Sequence, residues 1–251
     1  VATAVASALG TRHSNIFVSG RDCAAMLDRA RENYDEPLAD VSYLPLLILS
    51  RRAREDVRVV LSGDGGDELF CGYTRYKQTN NLWRVLQRVP LALRETTSRQ
   101  LFRLSNQSGK LGLSRRMLGS KNIGEVYDNL LVQWPINHAV ETNSTVAAKD
   151  GSSDPTKIDP VRLLMKSDFR TYLPDCVLQK VDRATMRASL EARAPLLDQR
   201  LVELSSKLPV RNVLLSGGRT KEVLRRIAAA RDPISHVAYS PKKGFSAPLK
   251  D

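Results

Sequence analysis

Apolar and polar residues follow one another in a pattern that predicts a strand, a tight turn and a helix over residues 57–70. The stretch 57–61 is a short β-branched run that is typical of a buried parallel strand. Residues 62–66 supply a glycine-rich turn, in which glycine allows positive φ and a close approach of ligand to backbone. Residues 67–70 then open a helix, with acidic residues where the helix dipole favours them. This order is typical of a ligand pocket at the carboxyl edge of an α/β sheet.

Helical periodicity predicts further elements on both sides of this unit. Before it, we predict a short strand over Asn15–Val18 and helices over 1–9, 22–33 and 44–54. After it, we find no convincing further strand. Amphipathic stretches are broken by Pro90, by residues 109–112 and by Pro135, and helices are predicted over 161–173, 175–190, 199–207 and 220–230. A charged turn over 191–198 leads into the third of these helices.

The predicted organisation is α/β over residues 1–76 and mainly helical over 77–251, packed as one domain. A polar stretch near 143–159 is predicted to be a flexible loop. The 251 residues, 42% hydrophobic and 26% charged, are ordinary for a soluble globular protein. No apolar run is long enough to cross a membrane, so we expect no membrane partner. The three cysteines support neither a disulfide framework nor a zinc site, which favours a cytoplasmic protein.

The formal net charge of +12 is concentrated between Lys77 and Lys121, where ten basic residues face a single acid, Glu95. Such a stripe can bind nucleic acid. However, Arg84/Arg88 and Arg99/Arg103 recur at helical spacing beside leucines, which favours amphipathic helices with solvated basic faces. We therefore expect no specific nucleic-acid partner.

Three carboxylates, those of Asp64, Asp67 and Glu68, lie within the glycine turn and the helix start. Turn amides suit a phosphate, but neighbouring carboxylates repel it unless a cation lies between them. Hard cations such as Mg²⁺ take carboxylate oxygens and are shared with substrate phosphates. The residues alone thus indicate a nucleotide with Mg²⁺, while the alternative is a tight turn whose acids only cap a helix.

Three long motifs occur in a familiar order: LSGDGGDELFCGYTRY at 61–76, VDRATMRASLEARAPLLD at 181–198 and PKKGF at 241–245. With TYLPDC at 171–176 and DEPLADVSYLP at 35–45, they resemble the synthetase domain of glutamine-hydrolysing asparagine synthetases and their relatives, including β-lactam synthetases. The resemblance covers essentially the whole chain. It implies a partial parallel sheet of the adenine-nucleotide alpha-hydrolase (ATP pyrophosphatase) type followed by a large helical portion.

The resemblance implies ATP-dependent activation of a carboxylate as an acyl-adenylate, with release of pyrophosphate, followed by attack of a nitrogen nucleophile to give an amide and AMP. It implies that Ser62 and Gly63 contact the adenylate portion of the nucleotide and that Asp64 lies near the activated substrate. It also implies that Asp67 is a Mg²⁺ ligand and that Arg183 lies near pyrophosphate.

Lys242 occupies the place of the family's lysine that stabilises charge on the reacting phosphate and acyl centre, the kind of group that lowers a barrier most. Its neighbour Lys243 is the weaker candidate. Glu191, Arg193 and Asp198 either bind substrate or form buried ion pairs that organise a turn. Asp182 is expected to be structural rather than catalytic.

The chain also departs from the family pattern. The SGG-x-DS pyrophosphate loop of the first synthetase strand is absent, and Ser216-Gly217-Gly218 lacks its aspartate. The glutaminase domain, expected as a partner in the parent chain, is absent as well. We therefore expect a fragment that is inactive alone and binds ATP weakly or not at all. We also expect an exposed sheet edge that another segment or a homo-oligomer covers.

Three functions are consistent with the sequence. The first is a fragment of a ligase that adenylates a small-molecule carboxylate, most simply aspartate to give asparagine. The second is a specialised relative, similar to a β-lactam synthetase or an amidotransferase of peptides or sugars. The third, from another class, is a non-catalytic basic binding module that uses residues 77–121.

Overall fold

The computed structural model describes residues 2–31, 40, 42–104, 109–131, 158–231 and 234–240 of the chain. Its backbone contacts divide into two compact units. The first comprises Val1–Phe70, Arg170–Leu208 and Lys221–Asp251, and the second comprises Cys71–Phe169 and Pro209–Thr220. Each unit is therefore assembled from stretches that are distant in sequence.

Helices form most of both units. The chain begins with α1 (Ala2–Ala8), α2 (Gly20–Arg31), α3 (Tyr43–Asp56), strand β1 (Val59–Leu61) and the one-turn helix α4 (Gly66–Leu69). It continues with α5 (Thr74–Leu86), α6 (Leu91–Leu104), α7 (Gly109–Gly119), α8 (Ile123–Leu131) and α9 (Pro160–Arg170). A π-helical turn (Leu173–Leu178) leads into α10 (Gln179–Arg187), strand β2 (Glu191–Arg193) and a 3₁₀ turn (Pro195–Leu197). Then follow α11 (Gln199–Lys207), a kinked turn (Val210–Leu214), α12 (Glu222–Ala229) and a last 3₁₀ turn (Ser235–Val237).

The strands β1 and β2 confirm the predicted α/β class with a large helical portion. They pair in parallel, and Val59 lies opposite Glu191 while Leu61 lies opposite Arg193. In the part of the chain that the structure describes, they form a two-stranded sheet. None of the helices described there combines the length and apolarity that a membrane crossing requires.

The core of the first unit lies where α2, α3 and α10 meet. Five buried residues form one cluster there, namely Cys23, Tyr43, Leu44, Leu47 and Ala184. The start of α3 is fixed by Asp40, whose Oδ1 accepts hydrogen bonds from the Ser42 amide at 2.9 Å and from the Ser42 hydroxyl at 2.7 Å. Lys180 of α10 donates to Asp40 Oδ2 at 2.6 Å and so ties α10 to the same point. The apolar cluster and the contact between Lys180 and Asp40 together hold α10, the helix that positions the site described below.

Three predictions about strands were wrong. The run Asn15–Val18 has no regular structure; Val18 packs against the core cluster and Phe17 is 92% exposed. Strand β2 lies within the predicted charged turn of 191–198. Because Glu191 and Arg193 are charged and exposed, this three-residue strand lacks the apolar pattern that would predict it. Strand β1 is parallel as predicted but not buried, since Leu61 is 73% exposed. Among the described residues its hydrogen-bonded neighbour is β2.

The second unit contains the basic helices. Arg84, Arg88 and Arg99 are exposed, in agreement with solvated basic faces. Arg94 is an exception, because it is only 5% exposed. Its guanidinium donates to the carbonyl oxygens of Val89 at 3.1 Å and of Ser120 at 2.6 Å. This arginine therefore satisfies backbone acceptors rather than facing solvent. Gly109 and Gly112, predicted to break a helix, lie within α7, and the predicted break at Pro135 lies outside the described residues.

A buried polar cluster ties α5, α8 and α9 together in the second unit. Asp168 Oδ2 accepts hydrogen bonds from the Arg75 guanidinium, the Tyr76 hydroxyl and the Tyr127 hydroxyl, each at 2.6 Å. Asp168 is only 1% exposed. Burial and the neighbouring Asp168 charge raise the pKa of both tyrosines, so that both hydroxyls remain donors. The predicted flexible loop near 143–159 lies almost entirely outside the described residues.

Candidate functional site

The glycine turn begins where β1 ends. The Ser62 amide donates to the Arg193 carbonyl at 2.8 Å, which extends the pairing with β2 by one residue. Gly65 then adopts a left-handed conformation with φ +82° at the start of α4. A Cβ at Gly65 would collide with the Leu197 side chain, so that glycine is required both for its conformation and for its close approach. The turn therefore holds its residues at the carboxyl edge of the sheet, as the sequence predicts.

A cavity of about 220 Å³ opens at this edge, within the first unit. Its lining includes Ser62 and Asp64 of the glycine turn. The Ser62 hydroxyl oxygen is buried and has no hydrogen-bond partner among the described residues. A buried hydroxyl without a partner is unfavourable in the folded protein unless a ligand or water satisfies it. Two of the predicted site residues thus line one cavity, and one of them, Ser62, carries the unsatisfied hydroxyl.

One face of α10 and the preceding turn forms another part of the cavity wall. Leu178, Val181, Thr185 and Met186 lie on it, at the i, i+3, i+7 and i+8 spacing of one helical face. The Thr185 hydroxyl donates to the Val181 carbonyl at 2.9 Å and is therefore satisfied within the helix. This wall is mainly apolar. Sequence reasoning missed it, although the spacing is visible in the chain.

Three carboxylates lie around the cavity, those of Asp64, Asp182 and Glu191. The ion pair considered for Glu191 and Arg193 is present, because Arg193 Nε lies 2.8 Å from Glu191 Oε1. It is not buried, since the two side chains are 55% and 65% exposed. Asp182, expected to be structural, lines the cavity beside the apolar wall. Among the described residues that line this cavity there is no lysine or arginine.

Asp198 has a structural position outside the cavity lining. Its carboxylate caps α11 by accepting from the Arg200 amide at 3.0 Å, and it also pairs with the Arg200 guanidinium. These hydrogen bonds lower the pKa of Asp198. Of the three residues considered together in the sequence, Glu191 alone lines the cavity.

Asp67 lies one turn further on, in α4, and is not part of the cavity lining. Its Oδ1 lies 3.1 Å from Lys221 Nζ. Lys221 precedes α12 and has φ 54° and ψ 34°, a left-handed conformation that is unfavourable for a residue with a side chain. Sequence reasoning missed Lys221, because its position between Thr220 and Glu222 indicates only a helix start.

The remaining predicted site residues are not brought into the cavity. Gly63 lies in the turn, and its position has open space around a would-be Cβ, which leaves room for a ligand beside the backbone. Arg183 is exposed on α10 and is not part of the lining. Lys242 and Lys243 lie outside the described residues. The roles assigned to these residues by the resemblance stay predictions.

The donor set at the turn fits a magnesium ion only when the ion is shared with phosphate. No group of three or more His, Cys, Asp or Glu side chains that could hold a metal occurs among the described residues. Mg²⁺ in phosphate-transfer sites is commonly held by one or two carboxylates together with substrate phosphates. Asp67 offers one such carboxylate. The Lys221 ammonium group that pairs with it is a second positive charge to which a phosphate would be attracted.

Comparison with known proteins identifies the family of this chain. A family model described as asparagine synthase matches residues 1–251. A protein of Mycobacterium tuberculosis that is provisionally named as a glutamine-hydrolysing asparagine synthetase is 34% identical over 100% of this chain. Glutamine-hydrolysing asparagine synthetase 1 of Bacillus subtilis is 30% identical, also over 100% of this chain. The matches span 39% and 40% of the lengths of those two relatives, and no solved structure matches the chain. The match along the entire length shows that the chain belongs to the asparagine synthase family.

Proposed function

We propose that the protein to which this chain belongs is an ATP-dependent ligase that activates a carboxylate as an acyl-adenylate and converts it to an amide. AMP and pyrophosphate are the co-products. The simplest substrate is aspartate, and the nitrogen donor is ammonia that a glutaminase domain releases from glutamine. The names of the similar proteins support this reaction.

The single observation that carries the proposal is the cavity beside the glycine turn. Ser62 and Asp64, two residues of the predicted motif, line it just after the carboxyl end of β1, which pairs in parallel with β2. Ligands of open α/β sheets bind at this edge. The unpartnered Ser62 hydroxyl offers a hydrogen bond to the nucleotide or to the acyl group.

In this proposal, the turn backbone at Gly63 and the Ser62 hydroxyl bind the adenylate portion. Asp64 accepts a proton from, or orients, the attacking nitrogen at the acyl carbon. Asp67 supplies the carboxylate for Mg²⁺, which screens the phosphate charge when bound. Lys242 remains the candidate for stabilising charge at the reacting centre. Arg183 remains the candidate for a position near pyrophosphate.

Formation of AMP and pyrophosphate by the full-length protein, with ATP, Mg²⁺ and a panel of carboxylates, tests the reaction. We expect Asp67→Asn to reduce turnover by at least 100-fold, in the range seen when one group that stabilises transition-state charge is removed. Asp198→Asn, which changes an acid of the same unit outside the cavity, is the matched control and should retain turnover. Absence of AMP and pyrophosphate with every carboxylate would refute the proposal.

A specialised relative is the second candidate, and the acidic, partly apolar cavity favours it. Strict preference for aspartate in the same panel would exclude it. The third candidate is a binding module based on the basic helices of the second unit. A binding module based on them predicts salt-sensitive association with nucleic acid, which a titration at two salt concentrations would detect.

A further inference from the structure

Helix α12 and the residue before it carry two cationic contacts of the first unit, one turn apart. Lys221 Nζ lies 3.1 Å from Oδ1 of Asp67, the candidate magnesium ligand. The Arg225 amide donates to the Lys221 carbonyl at 2.9 Å, so that Arg225 follows one helical turn later. The Arg225 side chain contacts the chain just before the PKKGF motif, which contains Lys242. One short helix thus contacts two stretches that the proposed function uses.

The Arg225 guanidinium binds two backbone carbonyl groups. Its Nη1 donates to the Ala238 oxygen at 2.8 Å and to the Ser240 oxygen at 3.3 Å. Because the donor is ionised, these hydrogen bonds are stronger than those between neutral groups. A guanidinium group also presents its donors in a rigid plane, which suits it to binding several acceptors at once. Arg225 is therefore well matched to hold this segment by its backbone.

The residues that Arg225 holds belong to one compact turn. The 3₁₀ turn Ser235–Val237 is extended by a hydrogen bond from the Ser240 amide to the Val237 carbonyl at 3.0 Å. Carbonyl groups at the end of a helical turn receive no donor from the turn itself, and a nearby cationic side chain stabilises them. Arg225 supplies such a side chain and fixes the end of the turn to α12.

The covalent chain transmits this constraint to Lys242, which follows Ser240 by two residues. Two residues of fully extended chain span at most about 7 Å. In any conformation, the Cα atom of Lys242 therefore lies within this distance of the Cα atom of Ser240. A contact that fixes Ser240 consequently limits where the Lys242 side chain can begin.

We infer that Arg225 is a positioning residue for Lys242. By holding the carbonyl groups of Ala238 and Ser240, it ties the backbone that precedes this lysine to the helix whose start contacts Asp67. The position of the lysine relative to the candidate magnesium ligand thus depends on α12. The inference rests on the proposed function for the role of Lys242, and on the contacts alone for the anchoring of the segment.

Limited proteolysis without ATP tests the anchoring. The 251-residue chain is treated with trypsin, and mass spectrometry measures the rate of cleavage after Lys242 or Lys243. We expect Arg225→Met to accelerate this cleavage at least about tenfold, because losing a hydrogen bond from a charged group raises the population of the open segment by that factor or more. Cleavage after Lys207, an exposed residue at the end of α11, is the internal reference and should not accelerate.

Arg231→Met is the matched control, because Arg231 is an exposed arginine just beyond the end of α12. It should leave both cleavage rates unchanged. If Arg225→Met does not fold, Arg225→Lys replaces it. Lysine keeps a charged donor of shorter reach, so that cleavage after Lys242 or Lys243 should accelerate by a smaller factor. Unchanged cleavage in the folded Arg225 variant, or equal acceleration at Lys207, would overturn the inference.

A double-mutant cycle in the full-length protein tests whether Arg225 acts through Lys242. Arg225→Met should lower the rate of AMP formation at least about tenfold, since a misplacement of about 1 Å can cost about 100-fold. In a protein that already carries Lys242→Met, the same substitution should lower the rate less than about twofold, because the group that it positions is gone. Equal factors in the two backgrounds would show a merely structural role and overturn the inference.

The two proposals fail in different experiments. If Arg225→Met accelerates cleavage as expected while the full-length protein makes no AMP with any carboxylate, the reaction is wrong and the anchoring by Arg225 stands. If AMP is made but Arg225→Met changes neither cleavage nor turnover, the reaction stands and the positioning role is wrong.

Discussion

Lys221 Nζ lies 3.1 Å from Oδ1 of Asp67, and the two side chains are only 28% and 23% exposed. The contact joins the start of α12 to the helix that follows the glycine turn. Lys221 makes it from a left-handed backbone conformation, with φ 54°. Strain of this kind persists only where the surrounding structure imposes it, and it is frequent at functional sites.

The strain at Lys221 can be measured by comparing two variants that both lack the ammonium group. Lys221→Gly should be more stable than Lys221→Ala by about 1 kcal/mol, because glycine adopts the left-handed conformation without the steric penalty of a Cβ. The measurement is urea unfolding of the two proteins. At Glu203, an ordinary position of α11, the order should reverse, with alanine more stable than glycine by about 1 kcal/mol. The same order at both positions would show that Lys221 is unstrained.

The cluster around Asp168 predicts a large loss of stability. Asp168→Asn should lower the free energy of unfolding by about 3 kcal/mol or more, because it removes the charge that three donors share and leaves the Arg75 guanidinium without its carboxylate. Tyr127→Phe removes one of those donors and should lower it by about 1–2 kcal/mol. Chemical unfolding of both variants gives the comparison.

Thr79 provides the contrasting case within the same unit. Its hydroxyl oxygen is buried without a hydrogen-bond partner among the described residues. Thr79→Val keeps the shape and replaces the hydroxyl by a methyl group, so that it should raise the free energy of unfolding by up to about 1 kcal/mol. A loss as large as that of Tyr127→Phe would reveal a partner for the hydroxyl and contradict the prediction.

The tyrosines of the cluster predict sensitivity to alkaline pH. The pKa of Tyr76 and that of Tyr127 are raised in the folded protein, first by burial and then by the Asp168 charge. A group with a raised pKa contributes its stability fully below its unfolded pKa, about 10 for tyrosine, and loses it as the pH rises towards the folded value. Stability should therefore fall above about pH 10, and tyrosinate absorbance should increase together with unfolding. In the double variant Tyr76→Phe/Tyr127→Phe, the dependence above that pH should be weaker.

Asp40 predicts the opposite dependence, at acidic pH. Burial alone would raise its pKa, but hydrogen bonds from Lys180 and from the side chain and amide of Ser42 lower it overall. A group whose pKa is lowered by folding contributes its full stability at a pH above its pKa in the unfolded chain, about 4 for aspartate. That stability is lost as the pH falls through the pKa of the folded protein. Thermal unfolding should show the first unit weakening below about pH 4, and Asp40→Asn should reduce this dependence. An unchanged acid profile in the variant would show that Asp40 does not contribute.

Helices with a clear apolar face were predictable from the sequence. The bounds of α11 agree with the predicted helix over 199–207, because Asp198 provides an evident cap. Helix α3 was predicted within two residues at either end. Local spacing and local capping determine both elements, so that the sequence of each segment contains the information.

The glycine turn was predictable for the same reason, but the rest of the site was not. Ser62 and Asp64 follow directly from the strand and the turn. Asp182 and the apolar wall depend on how α10 lies against β2, and strand β2 itself forms only because β1 pairs with it. A three-residue strand with charged ends carries almost no pattern of its own. Contacts between distant segments, rather than local propensity, decide these features.

The pairing of β1 with β2 also has a kinetic consequence. It joins Val59 to Glu191, so that about half of the chain separates two residues that lie side by side. Closing so long a segment requires conformational entropy to be lost before the strand contact contributes favourable free energy. Non-local parallel pairing is therefore slow. We therefore expect the cavity, which needs both strands, to be among the last parts of the molecule to assemble during folding. Substitutions that weaken the pairing should delay the appearance of ligand binding more than the appearance of helix.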